Sequence, residues 1–206
     1  MDRTAGTEQR IREAAFRALA THGYADLSIS DIGDELGQNP SLIYHYFESK
    51  DDLLLSMLDV FVGLFTGAEA DEPITDAEAE LRRVTTQLVH PDSEQVAEVL
   101  ESPPDDIETA LSRVFVELWA HAIWDDDFRQ ETTAVEERVC ETLARIIRVG
   151  IERGEFRSVD PELEADHVFF LLKQAIHTRA TTNRDAVSER VETIVDDVID
   201  DLLRET

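Results

Sequence analysis

The stretch from Ser28 to Leu55, SISDIGDELGQNPSLIYHYFESKDDLLL, is the feature that most limits how this chain can fold. It reads as two short helices joined by a tight turn and followed at once by a longer helix, which is the pattern of a helix-turn-helix motif. Ser28 and Asp31 predict a capping box at the start of the first helix, and Gly37 predicts its left-handed end. The pair Asn39-Pro40 has the N-cap and first-turn chemistry that opens a second helix.

The second helix spans only about two turns before Phe47, so packing must hold it in place. The apolar residues available for this packing are Ile32, Leu36, Ile43 and Phe47. A helix in this position reads DNA through the major groove, while neighbouring side chains bind phosphates. The residues predicted to contact DNA are Gln38, Asn39, Ser41, Leu42, Tyr44, His45, Tyr46 and Lys50.

This stretch resembles the N-terminal DNA-binding domain of the tetracycline-repressor (TetR) family of one-component transcriptional regulators. The resemblance covers about residues 7 to 55 and rests on Gly23-Tyr24, Asp31-Ile32, Gly37, the cluster Ile43–Phe47 and Ser49-Lys50. The chain departs from the family at Asn39-Pro40-Ser41, where relatives often carry a lysine that binds phosphate. The operator contacts of relatives therefore cannot be transferred as a set.

The resemblance implies an all-α fold with two domains. Residues 1–55 would form a three-helix helix-turn-helix DNA-binding domain, and residues 56–206 a helical effector-binding and dimerisation domain. It further implies a homodimer that represses transcription on a double-stranded DNA operator until a small-molecule effector releases it. Two alternatives stay open: a constitutive DNA-binding protein without an effector, and a small-molecule-binding protein or enzyme that no longer binds DNA.

Helical periodicity continues through the rest of the chain, and no segment alternates as a strand would. Thr75 and Glu78 predict a capping box for one of these helices. The last two helices, from Asp160 and from Asp185, both carry apolar stripes, which Phe170 widens on the first. We expect them to form half of an intermolecular four-helix bundle, the alternative being that the chain's own core absorbs both stripes.

A ligand cavity is expected between the helices of the C-terminal part, as in helical bundles generally. An apolar effector would be buried by aromatic rings, whereas an anionic effector would need a basic group such as Arg113 or His121 turned inward. For each candidate lining residue, packing in the core is the alternative. The candidates are Phe61, Phe65, Phe115, Trp119, His121 and Phe169.

The charge of the chain opposes a simple nucleic-acid interpretation, since 46 acidic and 19 basic residues give a net charge of −27. Residues 1–50 carry a net charge of −3 and residues 51–206 one of −24, so the acidity lies mainly outside the motif. Only Lys50 and Lys173 are lysines, and an acidic surface with so little lysine is typical of a halophilic protein. At 1 M salt the Debye length is about 3 Å, which screens distant carboxylates from DNA phosphates. We therefore expect hydrogen bonds and apolar contacts to contribute more to DNA binding than charge.

No catalytic constellation or set of metal ligands is recognisable, so we predict no enzyme activity, no cofactor and no bound metal. His121 and Asp125 form at most one weak ligand pair. The sequence also lacks the ~18 consecutive apolar residues of a membrane span and the apolar core of a signal peptide, which predicts a cytoplasmic location without a membrane partner. Cys140, the single cysteine, is expected to act as a small buried or half-buried hydrophobe.

Overall fold

The structure, a computed structural model, describes residues 3–66, 73–91, 96, 100, 103–184 and 186–203, without the side chains of residues 3–5, 59–66, 188 and 189. Within these ranges the chain forms only helices, which confirms the predicted all-α class. The sequence also predicts a short helix at residues 93–100, of which the structure describes only Val96 and Leu100. The α-helices are α1 (Arg3–Asp26), α2 (Ile29–Leu36), α3 (Lys50–Thr66), α4 (Ala77–Val89), α5 (Ile107–His121), α6 (Asp126–Arg153), α7 (Pro161–Thr181) and α8 (Val187–Leu203).

A 3-10 helix, Pro40–His45, stands between α2 and α3 at the position of the second motif helix, and we call it the recognition helix. Its backbone bonds run three residues apart, as from the N–H of Tyr46 to the oxygen of Ile43. Such a short helix depends on its neighbours for stability, because it closes few bonds of its own.

The chain divides into two compact units, residues 1–64 with 93–133 and residues 65–92 with 134–206. The first unit contains α1, α2, the recognition helix and α5, and the second contains α4, α7 and α8. The functional boundary expected after residue 55 stays a prediction.

The core of the first unit is built on the apolar face of α1, where Ile11, Ala14, Ala15 and Ala18 are fully buried. Both α2 and α5 pack against this helix. Three of the four residues expected to hold the recognition helix are also buried, whereas Leu36 is only half-buried. The three buried ones are Ile32, Ile43 and Phe47.

Helix α1 changes direction near its end because Gly23 has φ 71° and ψ 163°, outside the helical region. A residue with a Cβ rarely adopts such a positive φ, so glycine suits this position. Residues 24–26 therefore leave α1 at a new angle, towards the start of α2.

The second unit is held by apolar packing and by ion pairs that join separate helices. α8 packs against both α4 and α7. Arg82 of α4 bonds to Asp196 at 2.6 Å and to Asp200 at 2.5 Å, both on α8. Arg157 donates to Asp201 at 2.7 Å, near the end of the same helix. Basic side chains thus serve here to connect helices.

The start of α4 differs from the expected capping box. Asp76, rather than Thr75, is the N-cap, and its side chain accepts the N–H of Ala79 at 2.9 Å. An aspartate and a threonine are both good N-caps, so local sequence did not distinguish the two positions.

None of the helices in the described ranges has the length and apolar character needed to cross a membrane.

Candidate DNA-binding surface and effector region

Local hydrogen bonds fix the direction in which the recognition helix leaves α2. Ser28 and Asp31 form the predicted capping box, in which each side chain bonds to the other residue's backbone N–H. Gly37 ends α2 with φ 65°, in the left-handed region. Asn39 caps the recognition helix by accepting the N–H two residues on, at 2.9 Å, and Pro40 occupies the first helical position.

The recognition helix also packs tightly against α2 at Gly33. A Cβ at this residue would lie 2.8 Å from Cγ of Pro40 and 3.2 Å from the backbone oxygen of Gln38. Because a Cβ does not approach other atoms this closely, a larger residue would push the recognition helix away from α2.

Exposure separates the predicted DNA-contacting residues into two groups. Leu42, Tyr46 and Lys50 are half-buried. The other five project into solvent, with Tyr44 60% exposed, and together we call them the recognition surface. It offers amide, hydroxyl, phenol and imidazole groups, which both donate and accept hydrogen bonds. The recognition surface consists of Gln38, Asn39, Ser41, Tyr44 and His45.

Lys50 is bonded within the protein. Its Nζ donates to the backbone oxygens of Tyr24 and Leu27, both at 3.0 Å, and lies 4.0 Å from the centre of the Tyr24 ring. Lys50 thereby joins the end of α1 to the segment that begins α2. The contact of Lys50 with a DNA phosphate stays a prediction. The spacing of the motif did not indicate these internal bonds.

The arginines of α1 are partly engaged as well. Arg12 donates to Ser56 at 3.1 Å and lies 5.4 Å from the ring centre of Phe47. Arg17 pairs with Glu35 of α2 at 3.3 Å. Both guanidinium groups brace the motif, so fewer of their N–H donors are available to DNA phosphates.

Tyr24 lies at the centre of a group that the sequence did not single out as a site. Its hydroxyl donates to Asp51 at 2.7 Å, and its backbone N–H donates to Glu117 of α5 at 3.2 Å. The ring of His121 lies 3.8 Å from the Tyr24 ring, centre to centre. Burial and the hydrogen bond to Asp51 raise the pKa of Tyr24 above its usual value, so the hydroxyl remains a donor. We call Tyr24, Lys50, Asp51, Glu117 and His121 the Tyr24 cluster.

The candidate effector residues that the structure describes lie on α5 in the first unit and on α7 in the second. Phe115 and Trp119 of α5 stack with their ring centres 5.8 Å apart. His121 instead contacts Tyr24 and Phe128. Phe169 is buried in the second unit, 6.3 Å from the ring centre of Phe170. The side chains of the two remaining candidates, Phe61 and Phe65, lie outside the described residues.

A groove of about 540 Å³ lies between α6 and α7, and the sequence did not indicate it. Burial and the nearby carboxylate of Asp166 raise the pKa of its Cys140 thiol to about 12, so the thiol is protonated and a poor nucleophile near neutral pH. Within the described ranges, no three His, Cys, Asp or Glu side chains are placed to hold a metal ion. The groove is lined by Glu137, Arg138, Cys140, Glu141, Ala144, Glu162 and Asp166.

Two family profiles match the chain. One, for bacterial regulatory proteins of the tetR family, matches residues 11–57, which contain the motif. The other, for the C-terminal domain of BetI-type transcriptional repressors, matches residues 78–204. The chain belongs to the TetR family. Family membership agrees with the resemblance seen in the sequence and places the recognition helix within the family's N-terminal domain.

Curated relatives match over short stretches of the chain. The HTH-type transcriptional regulator BetI of Brucella anthropi is 37% identical over 50 residues, which are 24% of this chain and 26% of that protein. The BetI regulator of Agrobacterium fabrum is 41% identical over 46 residues, 22% of each protein. The chain thus spans about a quarter of the length of the curated relatives it matches.

Solved structures match almost the whole chain. A TetR transcription regulator from Haloarcula marismortui has a TM-score of 0.81 at 26% identity, covering 97% of this chain and 100% of that chain. A transcriptional regulator from Saccharomonospora viridis in complex with choline has a TM-score of 0.78 at 25% identity, covering 98% of this chain and 100% of that chain. These matches confirm the predicted fold, an N-terminal helix-turn-helix domain followed by a C-terminal helical domain.

We predict that Cys140 reacts slowly with iodoacetamide at pH 8, although it lines an open groove. With a pKa near 12 instead of 9.0, the thiolate fraction at pH 8 falls by a factor on the order of a hundred or more. The rate should rise with pH up to that pKa. Mass spectrometry of the alkylated protein measures the rate at pH 8 and its dependence on pH. The chain unfolded in guanidinium is the control. Native and unfolded rates within a factor of about ten would contradict the high pKa.

Proposed function

We propose that the protein is a dimeric repressor that binds a two-fold symmetric DNA operator and is released by a small-molecule effector. The observation that carries the proposal is the capped, protruding recognition helix within residues 11–57, the part that matches the N-terminal domain of the TetR family. A dimer places two such helices on successive turns of one face of the duplex, about 34 Å apart.

The chemistry of the recognition surface favours base contacts by neutral groups. Gln38 carries an amide that can pair with adenine, and Asn39 keeps its amide NH2 as a donor while its oxygen caps the helix. Ser41 carries a small hydroxyl, and the exposed Tyr44 ring reaches a thymine methyl or a phosphate. Arg12 and Arg17 are bonded within the protein. DNA binding of this kind has a weak dependence on salt, because few counterions are released from the phosphates. It suits a chain with a net charge of −27.

The first test is the substitution Tyr44→Ala. We expect it to weaken binding to an operator duplex, identified by genome-wide footprinting, by about tenfold or more, because it removes one aromatic and one hydroxyl contact. Fluorescence anisotropy of the labelled duplex at multimolar KCl measures the affinity. Trp124→Ala is the matched control, because Trp124 is 86% exposed but lies outside the recognition helix. Equal affinities of wild type and Tyr44→Ala would remove Tyr44 from the DNA interface, and failure to recover any operator would oppose the regulator function.

The second unit offers a surface for dimerisation. Leu163 and Phe170 of α7 are 66% and 63% exposed, and Ile194 of α8 is 45% exposed. His167 lies between them and Gln174 lies one turn beyond Phe170; both are exposed and continue one stripe along α7. Large apolar side chains in solvent are unfavourable, so a second copy that pairs α7 and α8 with their own equivalents would stabilise both chains.

Phe170→Asp tests this interface. The added carboxylate would be buried against the partner chain, and we expect the dimer to dissociate into monomers at micromolar concentration. Sedimentation equilibrium measures the mass. Trp124→Asp adds the same charge at another exposed aromatic residue, and it should leave the dimer intact. A Phe170→Asp protein that remains dimeric would place the interface elsewhere, and a wild-type monomer would exclude the dimer.

The effector we propose is a quaternary ammonium compound of the choline class. The regulator from Saccharomonospora viridis binds choline, and the C-terminal part of this chain is of the BetI type. The stacked rings of Phe115 and Trp119 are groups of the kind that attract a quaternary ammonium ion through cation–π contacts. Arg113 of the same helix is exposed, so α5 does not turn that guanidinium inward for an anionic effector.

Choline and 3,3-dimethylbutan-1-ol, which has the same shape without the charge, test the class of effector. We expect choline to release the operator duplex and the uncharged alcohol to have little effect, because cation–π attraction needs the positive charge. The readout is operator anisotropy at constant ionic strength. Equal effects of both compounds would contradict recognition of the charge. If neither compound acts while DNA still binds, the constitutive DNA-binding alternative is favoured.

A further inference from the structure

The Tyr24 cluster joins α5 to the helix-turn-helix motif. We propose that Tyr24 is the positioning residue through which a displacement of α5 alters the recognition helix, so that the same contacts carry the signal from effector to DNA. This inference rests on the proposed function for its biological meaning, and its physical content, the coupling of α5 to the motif, is measurable without an effector.

The first link runs from α5 to the end of α1. Gly23 breaks the helical conformation, and the N–H of Tyr24 then finds its acceptor in Oε2 of Glu117. A Cβ on Gly23 would lie 3.1 Å from Oε1 of Glu117, so the glycine also leaves room for this carboxylate. The ring of His121, one helical turn further along α5, lies against the Tyr24 ring at a tilt of 31°. Two side chains of α5 thus hold the same residue, one through its backbone and one through its ring.

The second link runs from Tyr24 to the segments on both sides of the recognition helix. Lys50, which begins α3, bonds to the backbone oxygens of Tyr24 and Leu27. Asp51 accepts the Tyr24 hydroxyl. Leu27 is the residue before Ser28, the N-cap of α2. A shift of Tyr24 therefore moves the start of α3 and the start of α2 together.

The third link is the close packing inside the motif. Gly33 of α2 touches Pro40 of the recognition helix without space for one additional carbon atom. Tightly packed elements move as a body instead of deforming, because interiors have few voids to absorb a displacement. A movement of α2 is consequently transmitted to the recognition helix. All the residues of these three links lie in the same compact unit.

Helix α5 also carries the residues proposed to contact the effector, which links this coupling to effector binding. The stacked rings of Phe115 and Trp119, proposed to contact the effector, belong to the same helix as Glu117 and His121. An effector that binds one position of α5 more tightly than another shifts α5 towards the first position. Because the coupling between two sites is reciprocal, DNA binding must shift effector affinity by the same free energy. Spatial connection alone does not prove such coupling, so it must be measured.

Hydrogen exchange in the free protein provides the first test. Glu117→Ala removes the acceptor of the Tyr24 N–H, whereas Glu117→Gln retains an oxygen at that position. We expect amides of residues 29–47 to exchange about tenfold faster in Glu117→Ala and at the wild-type rate in Glu117→Gln. Leu111→Ala removes buried packing of α5 instead of the bond to Tyr24, and it should raise exchange evenly across the unit. Faster exchange confined to residues 23–27 and α5 in Glu117→Ala would overturn the proposal.

Tryptophan fluorescence provides the second test. The chain has two tryptophans, Trp119 in α5 and Trp124 just after it, so their emission reports on this helix. Operator DNA should change the emission of wild type and of Glu117→Gln, and the change should be lost in Glu117→Ala while anisotropy still detects DNA binding. A response of equal size in all three proteins would overturn the coupling but leave the regulator function intact. Absence of DNA binding in wild type would oppose the regulator function, and the exchange experiment would still decide the coupling.

Discussion

The close approach of Gly33 to Pro40 is the constraint on which the DNA-binding surface depends. A helix of six residues has little stability of its own, so its position is set by what it touches. Because Gly33 has no side chain, α2 can pack directly against Pro40. The left-handed Gly37 and the Asn39 cap then fix the direction of the chain between the two helices. Rigidity of the motif therefore comes from packing and local hydrogen bonds, and the exposed side chains remain available for a partner.

The use of basic residues follows from the acidity of the chain. The chain has 19 basic residues against 46 acidic ones, and Arg82 binds three carboxylates at once. Isolated ion pairs at the surface contribute little, but a fork that joins two helices also limits how they move. Within the motif, Arg17 pairs with Glu35, whereas Arg12 also donates to Ser56 and Lys50 donates to backbone oxygens. These basic groups are bonded within the protein, and the recognition surface itself consists of residues without a fixed charge.

Local features of the fold were predictable from sequence, and contacts between distant segments were not. The Ser28 capping box, the left-handed Gly37 and the Asn39 cap each depend on residues a few positions apart, so their chemistry is visible in a single sequence. The pairing of Tyr24 with Glu117 joins residues 93 positions apart, and no periodicity indicates it. His121 was considered for a ligand because it stands among aromatic residues on α5. Its stacking on Tyr24 depends on how α5 packs against α1, which only the three-dimensional structure describes.

The scarcity of lysine has a practical consequence for handling the protein. Lys50 and Lys173 are the only lysines in the sequence, and both amines are bonded, Lys50 to two backbone oxygens and Lys173 to Glu136. Reagents directed at amines, such as succinimidyl dyes or coupling chemistry for biosensor chips, would modify either the N-terminus or a group that holds helices together. A label attached at Lys50 would disturb the motif whose behaviour it was meant to report. Attachment through an introduced surface cysteine avoids this, since the native thiol is poorly reactive.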